Sequence, residues 1–235
     1  MSAIELKKKS EQVGIVLTKK KIDKICVQVG LALDVSGSTK QMYSSGLIQA
    51  TVERLLPIAM RFDDNGILDG WIFDEEATEL EPITVDVHEN YVTKHILTET
   101  NLDGGTRYAP VIQAFLDHYY GPATAAGKVK SFFKNMFSTE AKSTDPVFGL
   151  IVTDGENDDV YNTARLIEEH LDKNVYWLFI GAGSKSFVNC KTLAERFRNV
   201  SLIKIRDLEK TSDEELYEMI ISDHFVTWLK SQQSA

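Results

Sequence analysis

Five oxygen-bearing side chains, carried by three separate segments, have the chemistry of a divalent-cation site. They are Asp34, Ser36, Ser38, Thr106 and Asp154. Carboxylates and hydroxyls are hard ligands, which suit Mg²⁺, Mn²⁺ or Ca²⁺ better than zinc or copper. We expect Mg²⁺ as the ion, with waters completing its octahedral shell. A carboxylate from another molecule can replace one of those waters.

Each predicted ligand lies where a strand ends or where a helix is about to begin. The apolar runs 27–33 and 147–152 have the length and composition of buried strands, and Asp34 and Asp154 follow them directly. Thr106 follows a pair of glycines and precedes a helical pattern. Because open parallel sheets bind ligands beyond the carboxyl ends of their strands, we expect these side chains to meet at one sheet edge.

The rest of the chain alternates between strand and helix patterns. This alternation predicts a Rossmann-like, doubly wound α/β fold: a mostly parallel six-stranded sheet with helices on both faces and one antiparallel edge strand. Further strands are predicted at 70–74, 77–80 (the antiparallel edge), 175–180 and 202–205. Helices are predicted at 4–17, 44–61, 91–97, 108–116, 160–171, 187–197 and 213–229.

We divide the chain into an N-terminal basic helical extension, residues 1–23, and one domain, residues 24–235. The first 24 residues carry seven lysines against three acidic residues, in a chain whose net charge is −9. We interpret this segment as a solvated basic helix lying on an acidic domain, with a docking segment for an acidic partner as the alternative. Residues 121–145 are predicted to form an inserted helix with flexible flanks.

The bulk properties narrow the classes of function. A chain of 235 residues, 43% of them hydrophobic, can bury the core of one soluble domain. The acidic balance disfavours nucleic acid and anionic membranes as partners. No apolar run approaches the ~20 residues of a membrane span, and no secretory signal is apparent. We therefore predict a cytoplasmic protein without membrane insertion. Cys26 and Cys190 lack metal-binding spacing, so we predict buried thiols, with a disulfide as the alternative.

The order of the five oxygen ligands resembles the metal-ion-dependent adhesion site of von Willebrand factor type A domains. In that family Asp-x-Ser-x-Ser, a Thr and an Asp follow one another on successive loops. The resemblance extends from about Lys24 to the end of the chain. It implies a bound divalent cation and a protein partner that offers an Asp or Glu to it. The residues that match are Asp34, Ser36, Ser38, Thr106 and Asp154.

Three short segments, at 13–17, 61–64 and 71–73, resemble the C-terminal domain of tellurium-resistance TerF proteins. This narrower likeness implies a bacterial or phage system of the stress-response or tellurium-resistance type. Longer members of that group carry an additional calcium-binding domain. We do not expect calcium binding of that kind from the residues present here.

A haloacid-dehalogenase-like phosphatase is the enzymatic alternative. In that class the first strand ends in Asp-x-Asp, and Asp34 would be the nucleophile. The stretch from Asp154 to Asp158 resembles its later Mg²⁺-binding element. Ser36, however, stands where these enzymes have the aspartate that acts as general acid. A nucleophilic Asp34 would lack its proton donor, so we predict a non-enzymatic binding module.

Several other patterns have ordinary structural interpretations. Residues 181–186 follow a strand and carry glycines, but their spacing does not match a phosphate-binding loop, which predicts a strand-to-helix turn. The acidic residues 74–76 are predicted to form a solvated loop. The carboxylates at 156–159 favour the start of the next helix. The candidate hydroxyls of Ser36, Ser38 and Thr106 have an alternative role as helix caps.

Overall fold

A six-stranded sheet forms the centre of the protein. The computed structural model describes residues 1–63, 65–121, 145–183, 185–205 and 210–233. The strands are β1 (Gln28–Asp34), β2 (Asp69–Phe73), β3 (Ala77–Glu79), β4 (Val147–Thr153), β5 (Val175–Ala182) and β6 (Val200–Ile205). Their order is β3-β2-β1-β4-β5-β6, and only the β2–β3 pair is antiparallel. The predicted Rossmann-like fold, with its antiparallel edge strand, is confirmed.

Helices cover both faces of this sheet, which explains why the strands are apolar at nearly every position. The helices are α1 (Ala3–Lys20), α2 (Lys40–Ser44), α3 (Leu47–Phe62), α4 (Ala109–Tyr120), α5 (Val160–Glu169), α6 (Val188–Arg196), α7 (Asp213–Ile220) and α8 (Asp223–Gln232). A short 3₁₀ turn spans Gly37–Thr39 and a π-helical turn spans Val92–Ile96. One apolar cluster joins α1, α3, α7 and α8 to the sheet, and the other joins α4, α5 and α6 to it.

Two helices that were predicted to be continuous are each interrupted in the structure. The helix predicted over 44–61 breaks at Gly46, whose φ of +80° lies in the left-handed region that glycine tolerates. The helix predicted over 213–229 is two helices, because Ser222 has an extended backbone and its side chain accepts a hydrogen bond from the N–H of Phe225. The helix predicted over 160–171 ends at Glu169, and Leu171 lies beyond its end and is exposed.

The N-terminal helix α1 packs into the same apolar cluster as the sheet. It begins with a capping box between Ser2 and Glu5. Its lysines pair with carboxylates of α7 and α8, which agrees with a basic helix lying on an acidic domain. These pairs are Lys9–Asp213, Lys19–Glu218 and Lys20–Asp223. The division of the chain at residue 24 stays a prediction. The insertion predicted at 121–145 lies outside the described ranges except for its two end residues.

Within the described ranges, no helix is both long and apolar enough to span a membrane. Cys190 is buried as predicted, whereas Cys26 is only partly buried, and burial raises the pKa of Cys190 to about 12. This thiol is therefore protonated at neutral pH and has no nucleophilic character.

Candidate metal centre

Asp34 is the last residue of β1, and its carboxylate is almost completely buried. One oxygen, Oδ1, accepts a hydrogen bond of 2.8 Å from the N–H of Ser36. The other, Oδ2, accepts one of 2.6 Å from the hydroxyl of Thr153, at the end of the neighbouring strand β4. Burial raises the pKa of Asp34 although these donors oppose it, and the nearby charge of Asp154 adds to the increase. A cation beside Asp34 would therefore relieve an unfavourable buried charge.

The first and last segments of the predicted site meet through Ser38. Its hydroxyl donates a hydrogen bond of 2.6 Å to Oδ1 of Asp154, which directly follows β4. The hydroxyl of Ser36 lies 3.4 Å from that of Ser38. Parallel pairing of β1 with β4 brings these residues together, because it aligns the carboxyl ends of the two strands. Four of the five predicted ligands thus form one connected group.

Thr106, the fifth predicted ligand, belongs to a loop that is hydrogen-bonded to both other segments. The N–H of Gly37 donates a hydrogen bond of 3.0 Å to the carbonyl of Gly104, and the N–H of Asp158 donates one of 2.8 Å to the carbonyl of Thr106. Thr106 is 9% exposed. Within the described ranges its hydroxyl has no hydrogen-bond partner, so it is available as a ligand. The structure therefore brings the loop of Thr106 to the same sheet edge.

Gly104 is required by the loop that follows β2. A Cβ on Gly104 would lie 2.6 Å from Cβ of Asp74, which the backbone holds in place. A Cβ on Gly105 would lie 2.9 Å from Oε1 of Glu75, but the end of that exposed side chain can move away. The prediction of a merely solvated loop at 74–76 therefore missed the packing of Asp74 against Gly104.

The alternative role of the hydroxyls as helix caps is not seen. Ser36 precedes the 3₁₀ turn but makes no side-chain capping bond. The N-terminus of α4 is capped by Asp159, which accepts hydrogen bonds from the N–H groups of Tyr108 and Ala109 at 3.0 and 2.8 Å. The hydroxyls of Ser36 and Thr106 are thus not used by the helices that follow them.

The acidic residues after Asp154 stabilise neighbouring helices rather than simply starting α5. Asp159 caps α4, and Glu156 accepts hydrogen bonds from the N–H groups of Val188 and Asn189, at the start of α6. These contacts hold the loop of Asp154 between two helix N-termini. Asp159 is also the N-cap residue of α5, so its place at the start of that helix agrees with the prediction. The contacts with α4 and α6 were not predicted, because hydrogen bonds between distant segments leave no local pattern.

The donor set fits a hard divalent cation. Two carboxylates, from Asp34 and Asp154, supply charge, and the remaining predicted ligands are neutral hydroxyls. The described residues contain no cluster of three or more His, Cys, Asp or Glu side chains that would hold a metal. A softer site, rich in histidine or cysteine, is therefore not present in those ranges.

Thr153 and Lys185 also contact the two carboxylates, and neither was among the predicted site residues. Lys185 is the charged one of the two. It follows β5 in the stretch interpreted as a strand-to-helix turn, and its Nζ lies 2.7 Å from Oδ2 of Asp154. The signal available in the sequence was its position just after a parallel strand, where ligand-binding side chains collect. Asp158, in contrast, is exposed, and its backbone rather than its side chain contacts the loop of Thr106.

Comparison with known proteins agrees with this architecture. The family profile described as "vWA found in TerF C terminus" matches residues 26–235. The uncharacterized protein YcbR of Bacillus subtilis (strain 168) is 34% identical over 234 residues, which cover 98% of this chain and 88% of YcbR.

Among solved structures, proximal thread matrix protein 1 from the mussel byssus has a similar fold, and one of its structures has a zinc-occupied metal-ion-dependent adhesion site. That structure has a TM-score of 0.54 and 14% identity, and it covers 88% of this chain. A second crystal form of the same protein has a TM-score of 0.53. The chain spans half the length of that protein. At this level of identity the likeness shows the fold alone.

Proposed function

Because the chain belongs to the vWA-TerF-like family, the von Willebrand factor A domains found at the C terminus of TerF, we propose that it binds Mg²⁺ and holds a protein partner through that ion. Members of the wider domain family often use such a metal for protein interaction. One observation carries the proposal: the hydroxyl of Ser38 lies within hydrogen-bond distance of both Ser36 and Asp154, at 3.4 and 2.6 Å. It joins the first and last segments of the ligand set.

All five side chains would contribute oxygen ligands to the ion. Asp34 and Asp154 supply two negative charges, which at ~5 Å repel each other by roughly 3 kcal/mol in a medium of effective dielectric constant about 20. The hydroxyls of Ser36, Ser38 and Thr106 add oxygen ligands without adding charge. A bound divalent cation would remove the repulsion and supply an electrophilic centre for an incoming carboxylate. Mn²⁺ or Ca²⁺ would suit the same oxygens.

The partner that this site fits is a protein that presents an Asp or Glu side chain. A protein of net charge −9 repels an acidic ligand. A cation bound at this site would make the local charge positive and so allow an acidic ligand to bind there. Neither nucleic acid nor a membrane has a role in this proposal. The TerF likeness of the family and the Bacillus relative support a bacterial or phage stress or tellurium-resistance-type system in the cytoplasm.

We further propose that the chain has no catalytic activity. Domains of this family are generally interaction modules rather than enzymes. For the phosphatase alternative, Ser36 offers no general acid beside Asp34, and Asp158 is exposed. With Mg²⁺ present, p-nitrophenyl phosphate should be hydrolysed no faster than in buffer. Turnover that disappears in both Asp34→Asn and Asp158→Asn would favour the phosphatase instead.

Equilibrium titration with Mn²⁺ tests the metal site itself. We expect the native chain to bind one ion, and we expect Asp34→Ala and Asp154→Ala to bind it at least about tenfold more weakly. Asp23→Ala is the matched control, because this exposed aspartate precedes the amino end of β1, whereas Asp34 is at its carboxyl end. It should bind Mn²⁺ as the native chain does. Equal affinities in all four proteins would rule out a site at Asp34 and Asp154.

A further inference from the structure

Lys185 approaches the predicted metal site from the loop between β5 and α6. Its Nζ lies 2.7 Å from Oδ2 of Asp154, and its side chain is 50% exposed. The side chain passes over Gly155, where an added Cβ would lie 3.8 Å from Cδ of the lysine. Lys185 therefore reaches the site along its outer surface, from the side on which a ligand would arrive.

Lys185 contributes a charge where the other contacts of the site are neutral. Oδ1 of Asp154 accepts from the hydroxyl of Ser38, and Asp34 accepts from a backbone N–H and from the hydroxyl of Thr153. Among the described residues, Lys185 is the one cation within 4.0 Å of either carboxylate. A divalent ion on Asp154 would have to share that carboxylate with an ammonium group, and the two cations repel each other.

The ion pair between Lys185 and Asp154 is of a kind that exchanges easily. Half-exposed lysine pairs contribute little net stability, and the flexible stem lets the ammonium group move at low cost. With a divalent ion bound, the charges of Asp34 and Asp154 are neutralised. The ammonium group then leaves one net positive charge at the mouth of the site. The group best suited to that arrangement is an anion that contacts the metal and the lysine together.

We propose that Lys185 is the second contact for an acidic ligand: it releases Asp154 when the metal binds and then pairs with the ligand's carboxylate. One oxygen of that carboxylate would bind the ion, and the other would accept a hydrogen bond from Nζ. This inference rests on the proposed function and names the residue that selects an anionic ligand. Lys185 should therefore weaken the binding of the metal, because it competes for Asp154. It should strengthen the binding of the acidic ligand, because it attracts the ligand's carboxylate.

Lys185→Met tests the proposal, because it keeps the length of the stem and removes the charge. Mn²⁺ affinity is measured first, and acetate is then titrated into the Mn²⁺-loaded protein while water-proton relaxation follows the loss of metal-bound water. We expect Lys185→Met to bind Mn²⁺ about three- to tenfold more tightly and acetate about three- to tenfold more weakly. Lys191→Met is the matched control, since this exposed lysine of α6 pairs with Glu195. It should change neither affinity.

Each other outcome contradicts a specific part of the proposal. Weaker or unchanged Mn²⁺ binding by Lys185→Met would show that the lysine supports the loop instead of competing with the metal. Unchanged or tighter acetate binding would show that it does not contact the ligand. If neither the native chain nor Lys185→Met binds Mn²⁺, while both unfold cooperatively, the proposed function fails and the role of Lys185 fails with it.

Discussion

Two pairs of carboxylates lie on different parts of the same sheet, and they are neutralised in different ways. At the carboxyl ends of β1 and β4, Asp34 and Asp154 are contacted by hydroxyls, a backbone N–H and one half-exposed lysine. Beside β2 and β3, Asp69 and Glu79 hold the ring of His118, whose Nδ1 lies 2.9 Å from Oε1 of Glu79 and whose Nε2 lies 3.6 Å from Oδ2 of Asp69.

The carboxylates of Asp69 and Glu79 hold a cation of the protein itself, the protonated ring of His118. Burial opposes charge on His118, but hydrogen bonds and attraction from Asp69 and Glu79 outweigh it and raise its pKa to about 10. The ring also packs edge-on against Trp71, at a centroid distance of 5.3 Å. Tyr119 donates a further hydrogen bond of 2.6 Å to Asp69. This cation is fixed by packing, and the cluster joins the edge strand to α4.

The comparison shows what distinguishes a structural carboxylate pair from one that can bind a ligand. The ring of His118 is held by aromatic neighbours and by both carboxylates of its pair. Lys185 contacts one carboxylate of the other pair and is half exposed. In the first arrangement both carboxylates already contact one cation. In the second, the ammonium group contacts one carboxylate and can be exchanged for a metal. We therefore expect metal to affect only the Asp34–Asp154 pair.

The largest expected effect is the stabilisation by Mg²⁺. A ligand at about 100 times its Kd adds roughly 2.7 kcal/mol to the free energy of unfolding, or about 5–10 °C in Tm for a chain of this size. Asp154→Ala should lose this response to Mg²⁺. Asp69→Ala should lower Tm in EDTA yet keep the full response. Thermal unfolding of the three proteins with EDTA and with Mg²⁺ checks this, and a response retained by Asp154→Ala would contradict it.

The next largest effect is the loss of stability when the charged ring of His118 is removed. His118→Gln should lower the free energy of unfolding by about 2 kcal/mol at pH 7, because it removes charge-assisted hydrogen bonds to Asp69 and Glu79. The Mg²⁺ response should not change, since these groups lie away from the ends of β1 and β4. Urea unfolding with and without Mg²⁺ measures both quantities. A loss of the Mg²⁺ response in this variant would mean that the two pairs are coupled.

The same histidine predicts a dependence of stability on pH. Its pKa is about 10 in the folded protein and ~6.5 in the unfolded chain. The stabilisation it provides is therefore complete below pH ~6.5, declines as the pH rises towards ~10, and is absent above that value. Urea unfolding at several pH values should show native stability approaching that of His118→Gln as the pH rises. A constant difference between the two proteins across this range would refute the assignment.

The smallest expected effect is that of removing one neutral ligand. Thr106→Ala should raise the Kd for Mg²⁺ about tenfold, or by about 1.4 kcal/mol, and should change Tm in EDTA very little. Thr98→Ala, which alters an exposed threonine elsewhere, should leave the Kd unchanged. Calorimetric titration of both variants measures this difference. Equal Kd values would remove Thr106 from the ligand set.

The fold could be predicted from the sequence. So could the proximity of the carboxyl ends of strands that are far apart in the chain. Apolar runs directly before Asp34 and Asp154 marked buried parallel strands, and parallel pairing aligns their ends whatever the length of chain between them. The same reasoning predicted the edge at which Thr106 lies. These features follow from local patterns and from general rules of sheet topology.

The remaining features depend on contacts between segments that carry no local pattern. Lys185 was assigned to an ordinary turn, because its position after a parallel strand indicates the sheet edge but not a contact with Asp154. The packing of Asp74 against Gly104 was hidden for the same reason. The breaks at Gly46 and Ser222 were missed because apolar spacing continues through them, although both residue types are known to end or begin helices.

Crystallographic location of Mn²⁺ by its anomalous scattering is the most direct test of the proposed metal site. We expect one peak bounded by Asp34, Ser36, Ser38, Thr106 and Asp154. We also expect that Nζ of Lys185 moves away from Oδ2 of Asp154, and that no ion lies at Asp69 and Glu79. A peak at any other place, or no peak in crystals of a protein that binds Mn²⁺ in solution, would contradict the assignment of the metal to this sheet edge.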